Sequence, residues 1–304
     1  MRIMVLGGAG FLGSALVNSL AKTRSNTIQV LDTFSHGFPK KPHKSKNVLP
    51  PISGSIRNYY DVLRGMERFK PEAIIHLAAF NSRPETIGDF KTCAEINYVG
   101  TANVLQACLA LRSVVQRVIF ASTLAAEEPV SHYGVSKRAA EDLLESVFLR
   151  FPEGSRQLIT LRFSEIYGHN VPYTSTSLLN FLANGMVQNQ TLGVFGVKEK
   201  IDCLHISDAV RACELATTVK IEKNSVRLDI GTGKGIVVQD LVHKLKEASG
   251  YTGQIKFYPT NNAIPFQTLI ANPKPAKEIL GFEAQANFDE EIIALIKARR
   301  KALK

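Results

Sequence analysis

The stretch that decides the fold is Met1–Gly13, "MRIMVLGGAGFLG". The apolar run "RIMVLG" predicts a buried strand, and the apolar spacing of "FLGSALVNSLAK" predicts a helix directly after it. Gly7, Gly10 and Gly13 follow GxxGxxG spacing at this junction. The first glycine permits a tight turn, the second lets the backbone approach a pyrophosphate, and the third allows the helix to pack closely on the strand. The pattern is typical of a dinucleotide-binding fold.

A second predicted strand, "TIQVLD", ends at Asp32, about 20 residues beyond the glycines. A carboxylate at this place can accept hydrogen bonds from adenosine ribose hydroxyls, while the helix start at Phe11, Leu12 and Gly13 offers N–H groups to the pyrophosphate. We therefore predict NAD as the cofactor, because a 2′-phosphate of NADP would face Asp32. The basic stretch "PKKPHKSK", Pro39–Lys46, is the feature that opposes this preference.

Later strands are predicted at "EAIIHLAA" (72–79), "RVIFAS" (117–122) and "LITLRF" (158–163), with helical stretches between them. Such alternation indicates a parallel sheet with helices on both faces. After His76 come Leu77 and the small residues Ala78 and Ala79, which would let the backbone lie against the cofactor, and His76 itself is interpreted as structural.

The pattern changes after residue 163 to shorter elements and loops rich in Ser, Thr and Asn. The predicted class is α/β, with a doubly wound Rossmann domain over 1–163 that binds NAD. Residues 164–304 are predicted to form mainly a smaller α/β substrate-binding domain, with some segments returning to the first.

The bulk composition excludes several classes of protein. The chain has 304 residues and a net charge of +10, but its basic residues cluster in a loop and at the chain end without interleaved aromatic residues, so no nucleic-acid partner is predicted. No apolar run approaches the ~20 residues that span a bilayer, so no membrane partner is predicted. The four cysteines have no CxxC spacing, which indicates neither a metal site nor a disulfide framework and fits a reducing cytoplasm.

The stretch "STLAAEEPVSHYGVSK", Ser122–Lys137, contains a candidate proton-transfer pair. Tyr133 and Lys137 are four residues apart and so share one face of a helix. A free tyrosine has a pKa near 10, and lowering it by about 3 units requires roughly 4 kcal/mol, which a cation about 4 Å away can supply. We therefore expect Lys137 to supply much of the lowering of the Tyr133 pKa, an oxidised nicotinamide to add to it, and Thr123 to hold the substrate oxygen.

Many motifs in sequence order resemble those of the extended short-chain dehydrogenase/reductase family, and especially its NAD-dependent nucleotide-sugar epimerases and dehydratases. The resemblance covers almost the whole chain. Its motifs are "GGAGFLG", "LDTFSHG", "HLAA", "NYVGTANVLQAC", "FAST", "YGVSK", "LRFSEIYG", "IDCLHISDAVRA" and "LDIGTGKGIVVQDLV".

The resemblance implies roles for individual residues. Thr123 matches the family's catalytic Ser/Thr, Tyr133 its proton-transfer residue, and Lys137 the residue that binds the nicotinamide ribose and lowers the tyrosine pKa. Asn97 matches a position on the cofactor side of the family's site, and it and Asp208 are taken as mainly structural. The family commonly pairs long helices into a homodimer, which we expect here as well.

The implied function is a nucleotide-sugar 4-epimerase that oxidises a sugar carbon transiently. A nucleotide-sugar dehydratase remains an alternative, as does a net reductase or dehydrogenase on an atypical substrate. An NAD-binding regulatory protein without turnover is the alternative from another class. The intact Thr123, Tyr133 and Lys137 argue against it, because a protein that only binds needs no base.

The sequence departs from the family around the predicted substrate pocket. Only nine residues separate Thr123 from Tyr133, and the segment "YPTNNAIPFQ", 258–267, lacks the usual arginine. Glu165 stands where the family usually has Asn, and Ile201 stands where it usually has Arg. These changes predict weak binding of a simple diphosphate, because arginine gives bidentate charge-assisted bonds. The candidate substrate contacts are Ser122, Glu165 and Lys200.

Overall fold

A computed structural model of the chain describes residues 1–35, 45–81, 89–111, 115–169, 177–258 and 268–303. Its strands are β1 (Arg2–Leu6), β2 (Thr27–Asp32), β3 (Ile52–Ser53), β4 (Ala73–His76), β5 (Arg117–Thr123), β6 (Gln157–Phe163), β7 (Glu165–Tyr167), β8 (Leu192–Phe195), β9 (Lys200–His205), β10 (Ser225–Ile230), β11 (Gly235–Val237) and β12 (Ile255–Tyr258). Its α-helices are α1 (Phe11–Leu20), α2 (Tyr59–Phe69), α3 (Phe90–Cys93), α4 (Gly100–Ala110), α5 (His132–Phe148), α6 (Leu178–Val187), α7 (Ile206–Thr218), α8 (Val238–Ser249), α9 (Lys274–Leu280) and α10 (Phe288–Ala302).

Seven of these strands form one parallel sheet in the order β10-β6-β5-β4-β1-β2-β3. The inner strands are continuous apolar runs because helices cover both faces of the sheet. One face packs against α1 and α7, and the other packs against α2, α4 and α5. The predicted α/β class with a doubly wound Rossmann sheet is therefore confirmed.

The strand order reverses direction at β1, which lies between β4 and β2. Ligands of open parallel sheets bind at such a switch point, outside the carboxyl ends of the strands. Four predicted site residues lie at this edge, because Gly7 follows β1, Asp32 ends β2, Leu77 follows β4 and Thr123 ends β5.

A smaller group of elements follows β6. It contains the sheet β11-β9-β7 and the pair β12-β8, and their apolar side chains form a separate core with α6, α8 and α10. Two segments of the chain beyond residue 163 instead join the large sheet: β10 pairs with β6, and α7 packs against α1. The chain therefore passes between the two cores more than once.

The helical stretch that contains the motif "NYVGTANVLQAC" begins at Phe90 and is not a regular α-helix throughout. Between α3 and α4, residues Ala94–Val99 form a π-helical turn. Such turns are rare and occur frequently at functional sites, because the wider turn redirects one side chain. Here it contains Asn97, whose side chain is almost fully buried.

Two expectations from the composition concern membrane-spanning helices and the cysteine thiols. Within the described ranges, no helix has both the length and the apolar character needed to cross a bilayer. All four cysteines are free and buried. Burial raises the pKa of Cys108 to about 12, so this thiol is held in its unreactive protonated form.

Candidate active site

The glycine turn after β1 is shaped for close backbone approach. Gly7 has a φ of +81°, and a Cβ there would lie 2.6 Å from the backbone nitrogen of Ala78. A Cβ on Gly13 would lie 2.2 Å from the carbonyl oxygen of Gly7. Neither position accepts a side chain, so α1 starts directly against β1, as the glycine spacing predicted.

The N-terminus of α1 is left open by the protein. Its N-cap residue, Gly10, provides no side-chain cap, and the first turn contains no acidic residue. The backbone N–H groups of the first turn, at Phe11, Leu12 and Gly13, have no acceptor within the helix. A negatively charged pyrophosphate can receive these hydrogen bonds.

Asp32 is fixed in place by backbone donors. Its Oδ2 accepts from the Ala9 N–H at 2.9 Å, and its Oδ1 accepts from the Phe34 N–H at 2.8 Å. Each oxygen keeps a further lone pair, which is what two ribose hydroxyls require. The basic stretch Pro39–Lys46 lies mostly outside the described residues.

The loop after β4 is held against this cradle. The Leu77 N–H donates to Leu6 O at 2.9 Å, and Ala78 lies against Gly7. The side chain of Asn97 pairs with the backbone of Phe80: Oδ1 accepts from Phe80 N–H at 2.7 Å, and Nδ2 donates to Phe80 O at 2.9 Å. The loop therefore has a defined position, with Ala79 exposed toward solvent.

The second hydrogen of the Asn97 amide connects this loop to α5. Nδ2 donates to Ser136 Oγ at 2.9 Å, and that hydroxyl donates to Tyr133 O at 2.8 Å. Both amide hydrogens are thus used on protein groups. Asn97 acts by positioning the loop relative to α5, a connection that sequence reasoning did not reveal.

His76 is a neutral part of the core. The Thr101 hydroxyl donates to Asn97 O at 2.6 Å, so at 3.0 Å it accepts from Nε2–H of His76. Burial, with the nearby Lys137 charge, lowers the pKa of His76 to about 3. These contacts agree with the structural role expected for this histidine.

The short connection from Thr123 to Tyr133 closes tightly. A single 3₁₀ turn, Leu124–Ala126, follows Thr123, and Ser131 caps α5 by accepting from Gly134 N–H at 3.1 Å. A Cβ on Gly134 would lie 2.4 Å from the carbonyl oxygen of Ala125. The missing side chain therefore allows the first turn of α5 to pack on the turn that follows Thr123.

Lys137 is buried, with 2% of its surface exposed, and its Nζ lies 4.0 Å from the centroid of the Phe120 ring. Burial lowers the pKa of Lys137 to about 7, although the Glu141 carboxylate acts in the opposite direction. The ammonium is thus stabilised by one aromatic face and one carboxylate in an otherwise apolar environment.

The expected lowering of the Tyr133 pKa is wrong for the protein by itself. Burial raises the pKa of Tyr133 above its ordinary value, and Cys93 and Glu165 raise it further. Much of the expected lowering was assigned to Lys137, whose own charge is weakened by burial. The protein groups alone therefore keep the phenol protonated.

The hydroxyl of Ser122, a predicted substrate contact, is used in a bond within the protein. This hydroxyl is buried and donates to Glu141, a fully buried carboxylate. Glu141 also accepts from Arg162, with Nη2 2.7 Å from Oε2, and has Arg227 3.5 Å away. This ion network lies under α5 and fixes it to β5 and β6, and no sequence motif indicated it.

The predicted substrate contacts on the smaller core have different environments. Glu165 Oε1 accepts from Leu178 N–H at 2.6 Å and so caps α6, and burial raises the pKa of its carboxyl. Ile201 is buried in the third core. Lys200 is exposed at the start of β9. Apart from Tyr258, the segment 258–267 lies outside the described residues.

The observations fit a dinucleotide. The glycine turn would be filled by any Cβ, the α1 N-terminus is uncapped, and Asp32 retains acceptor capacity beside it. Gly7, Gly10 and Gly13 would contact the pyrophosphate, Asp32 the ribose, and the Leu77–Ala79 loop the face of the cofactor next to β4.

Comparison with known proteins agrees with this geometry. Relatives include a UDP-glucose 4-epimerase of Rhizobium leguminosarum bv. trifolii, 27% identical over 95% of this chain and 94% of the relative. A UDP-N-acetyl-alpha-D-glucosaminuronate decarboxylase of Bacillus cytotoxicus is 25% identical over 95% and 94%. The crystal structure of the Thermotoga maritima UDP-glucose 4-epimerase with UDP-glucose superposes with a TM-score of 0.87 at 26% identity, covering all of both chains.

A family model describes the larger part of the chain. It matches residues 3–231, which include the glycine turn, Asp32, Thr123, Tyr133 and Lys137. This match agrees with the predicted cofactor and with the predicted class of enzyme. The chain belongs to the NAD dependent epimerase/dehydratase family.

Proposed function

We propose that this NAD-dependent enzyme is a nucleotide-sugar 4-epimerase, which inverts a sugar carbon by oxidising it and then reducing it from the opposite face. The observation that carries this proposal is the packing of Gly134 on Ala125, which brings the first turn of α5, with Tyr133, to the end of β5, with Thr123. The similarity to the UDP-glucose 4-epimerases of Rhizobium leguminosarum and Thermotoga maritima supports the proposal.

The protein groups have separable roles. The Thr123 Oγ accepts from the Ala125 N–H at 3.3 Å, which leaves its own hydrogen for a substrate oxygen. The Tyr133 phenolate accepts the proton of the sugar hydroxyl and later returns it, so the proton balance closes over one turnover. Lys137 stabilises that phenolate and binds the nicotinamide ribose. NAD, when bound, accepts a hydride and returns it, and its oxidised ring supplies positive charge.

The pKa of Tyr133 bears directly on this mechanism. Because the protein groups alone keep the phenol protonated, the phenolate would form only with additional positive charge, which an oxidised nicotinamide bound by Lys137 would supply. Base formation is thereby linked to cofactor binding, so the protein without cofactor does not carry a charged tyrosine in a buried site.

The three alternatives from the sequence differ in how well the residues fit them. A dehydratase of this family carries two acids directly after its catalytic Thr, whereas Leu124 and Ala125 follow Thr123 here, and Glu127 and Glu128 are exposed. A net reductase or dehydrogenase would use the same three residues and is distinguished by its products. A regulatory protein that only binds NAD would not need Thr123, Tyr133 and Lys137 together.

Glu165 limits which substrates the site favours. A helix N-terminus attracts an anion, and at α6 that position is used by the carboxylate of Glu165. A substrate diphosphate near α6 would therefore lie close to a protein carboxylate and be repelled by it. Ile201 provides no positive charge that could bind the diphosphate. We infer that simple UDP-sugars bind weakly and that the preferred nucleotide sugar carries additional recognition groups.

We also infer a homodimer formed by two neighbouring helices. The π turn and α4 keep Tyr98, Val99 and Leu109 at least 39% exposed, and α5 keeps Val135 and Leu149 more than 50% exposed. Exposed apolar side chains on adjacent helices indicate a contact surface. Light scattering at micromolar concentration should give twice the chain mass, and the monomer mass would contradict the inference.

The free, buried cysteines support a reducing, cytoplasmic setting.

The proposed reaction is tested with a panel of UDP-, GDP-, CDP- and dTDP-sugars incubated with enzyme and NAD. Product analysis by NMR should show the C4 epimer of at least one sugar, with no net NADH formed. A 4-keto-6-deoxy product would establish a dehydratase instead. Stoichiometric NADH would establish a dehydrogenase, and tight NAD binding without any product would favour the regulatory alternative.

A further inference from the structure

Two histidines and a glutamate from three separate elements meet beside the smaller core. His169 follows β7 by two residues, His205 ends β9, and Glu291 lies in the first turn of α10. β7 and β9 are parallel and pair Tyr167 with His205, so their carboxyl ends lie at the same edge. One ligand atom from each of the three side chains lies within 4.8 Å of the other two.

The polar atoms of this cluster lack ordinary partners. His205 is 5% exposed, and its Nε2 has no hydrogen-bond partner among the described residues. That atom lies 3.3 Å from Glu291 Oε2. The buried Nδ1 of His169 also has no partner in the described part of the chain, and the two imidazole rings stack 6.0 Å apart. Two buried ring nitrogens without partners in one place call for a ligand.

The chemistry of the three groups selects the kind of ligand. The imidazoles of His169 and His205 can each offer a ring-nitrogen lone pair to a ligand. Two neutral imidazoles and a carboxylate form a ligand set that Zn²⁺ and similar divalent transition metals take, with one position left for water. Tetrahedral ligands of zinc lie roughly 3.3–3.5 Å apart. The pair His205–Glu291 already has this spacing, and the half-buried His169 needs to move by about 1 Å.

The orientation of His205 is supported by Ser207. Its Nδ1 lies 2.8 Å from Ser207 Oγ. Nδ1 also accepts from the Ser207 N–H at 3.4 Å, so the backbone and the hydroxyl of Ser207 fix the ring with Nε2 toward Glu291. A metal ion that binds Nε2 would displace the ring proton from that nitrogen.

We propose that His169, His205 and Glu291 bind one divalent transition-metal ion of the zinc type. The ion would connect α10 to the edge formed by β7 and β9. The sequence predicted no metal site, because that argument considered cysteine spacing, whereas these three residues are far apart in the chain and only the fold brings them together.

The test uses the full chain without an affinity tag, stripped of metal by a chelator and titrated with ZnCl₂ in a calorimeter. We expect saturable binding of one Zn²⁺ per chain. His169→Asn and Glu291→Gln should each weaken the affinity at least tenfold. The matched variants His243→Asn and Glu290→Gln change exposed residues outside the cluster and should bind as the parent does. A double variant of His36 and His43, which lie outside the described residues, should also be unchanged.

A second readout separates metal binding from a purely structural role. Zn²⁺ in about hundredfold excess over the Kd of the parent should raise the Tm of the parent by roughly 5 °C and that of Glu291→Gln by at most about half as much. No saturable binding would overturn the proposal and would leave His205 and Glu291 as an ion pair only. An affinity for Zn²⁺ equal to that of the parent in His169→Asn and Glu291→Gln would overturn the proposal as well. So would loss of Zn²⁺ binding in the His36 and His43 variant.

Discussion

Gly134 lies so close to Ala125 that a Cβ on the glycine would be 2.4 Å from the alanine carbonyl oxygen. This contact joins the first turn of α5 to the turn that follows Thr123. The contact compensates for the short connection between Thr123 and Tyr133. That connection is too short to form a longer wall of the substrate pocket. The geometry of the proposed catalytic group therefore depends on a residue without a side chain.

We predict that Gly134→Ala lowers kcat by about 10- to 100-fold and destabilises the protein by roughly 1–3 kcal/mol, because overpacking moves α5 away from the end of β5. Steady-state kinetics and urea unfolding measure the two effects. Gly193→Ala is the matched control, since its Cβ would meet the exposed Tyr258 ring at 3.1 Å, which can move away. Equal activity of Gly134→Ala and the parent would show that the contact is not critical.

Cofactor choice should follow from Asp32. We expect NAD to bind at least a hundredfold more tightly than NADP, because a 2′-phosphate about 4 Å from the carboxylate costs up to roughly 4 kcal/mol before salt screening. Calorimetric titration with both cofactors measures the ratio, and Asp32→Ala should reduce it. If the basic stretch after Asp32 dominates instead, NADP will bind as tightly as NAD, and the assignment of Asp32 fails.

The buried Lys137 predicts a pH dependence of stability. Its pKa of about 7 in the folded protein is below the value near 10.4 of an unfolded chain, so between these values the unfolded chain holds a proton that the folded protein lacks. Lys137 should therefore contribute a slope of about +1.4 kcal/mol per pH unit to the free energy of unfolding from pH 7 to 10. Below pH 7 the lysine is protonated in both states and contributes no slope.

Denaturant unfolding without cofactor, compared between the parent and Lys137→Met, isolates this contribution. The difference between the two profiles should grow above pH 7. Lys22→Met, at an exposed lysine, should follow the parent at every pH. Parallel profiles of the parent and Lys137→Met would mean that Lys137 keeps its ordinary pKa despite burial.

Glu165 provides a prediction about substrate charge. Glu165→Gln keeps an oxygen that accepts from Leu178 N–H and removes the negative charge, so it should lower the KM for a simple UDP-sugar by about tenfold. The unmodified enzyme should have a KM well above the micromolar range. Kinetics of both proteins with UDP-glucose and UDP-N-acetylglucosamine measure this, and a micromolar KM in the unmodified enzyme would refute the inference.

The local sequence was sufficient to predict those parts of the fold that depend on hydrophobic periodicity and turn residues. The glycine turn, the strand that ends at Asp32, and the helix with Tyr133 and Lys137 all lie within short stretches whose periodicity and turn residues specify them. The strand alternation was sufficient to predict the parallel sheet.

The parts that escaped prediction depend on contacts between distant residues. The pairing of Asn97 with Phe80 and the bond from Ser122 to Glu141 join elements separated in the chain, and no periodicity reports them. The Tyr133 pKa was misjudged for the same reason, because Cys93, Glu165 and burial come from other elements. Electrostatics of a buried group are a property of the assembled fold.

The central claim is that the Tyr133 hydroxyl transfers the proton in a sugar epimerisation, and Tyr133→Phe tests it most directly. Using the nucleotide sugar on which the unmodified enzyme is most active, epimer formation should be followed by NMR and NAD affinity by calorimetry. The account predicts at least a thousandfold lower kcat in Tyr133→Phe, with a Kd for NAD within about threefold of the parent value. Undiminished epimerisation by Tyr133→Phe would contradict the account.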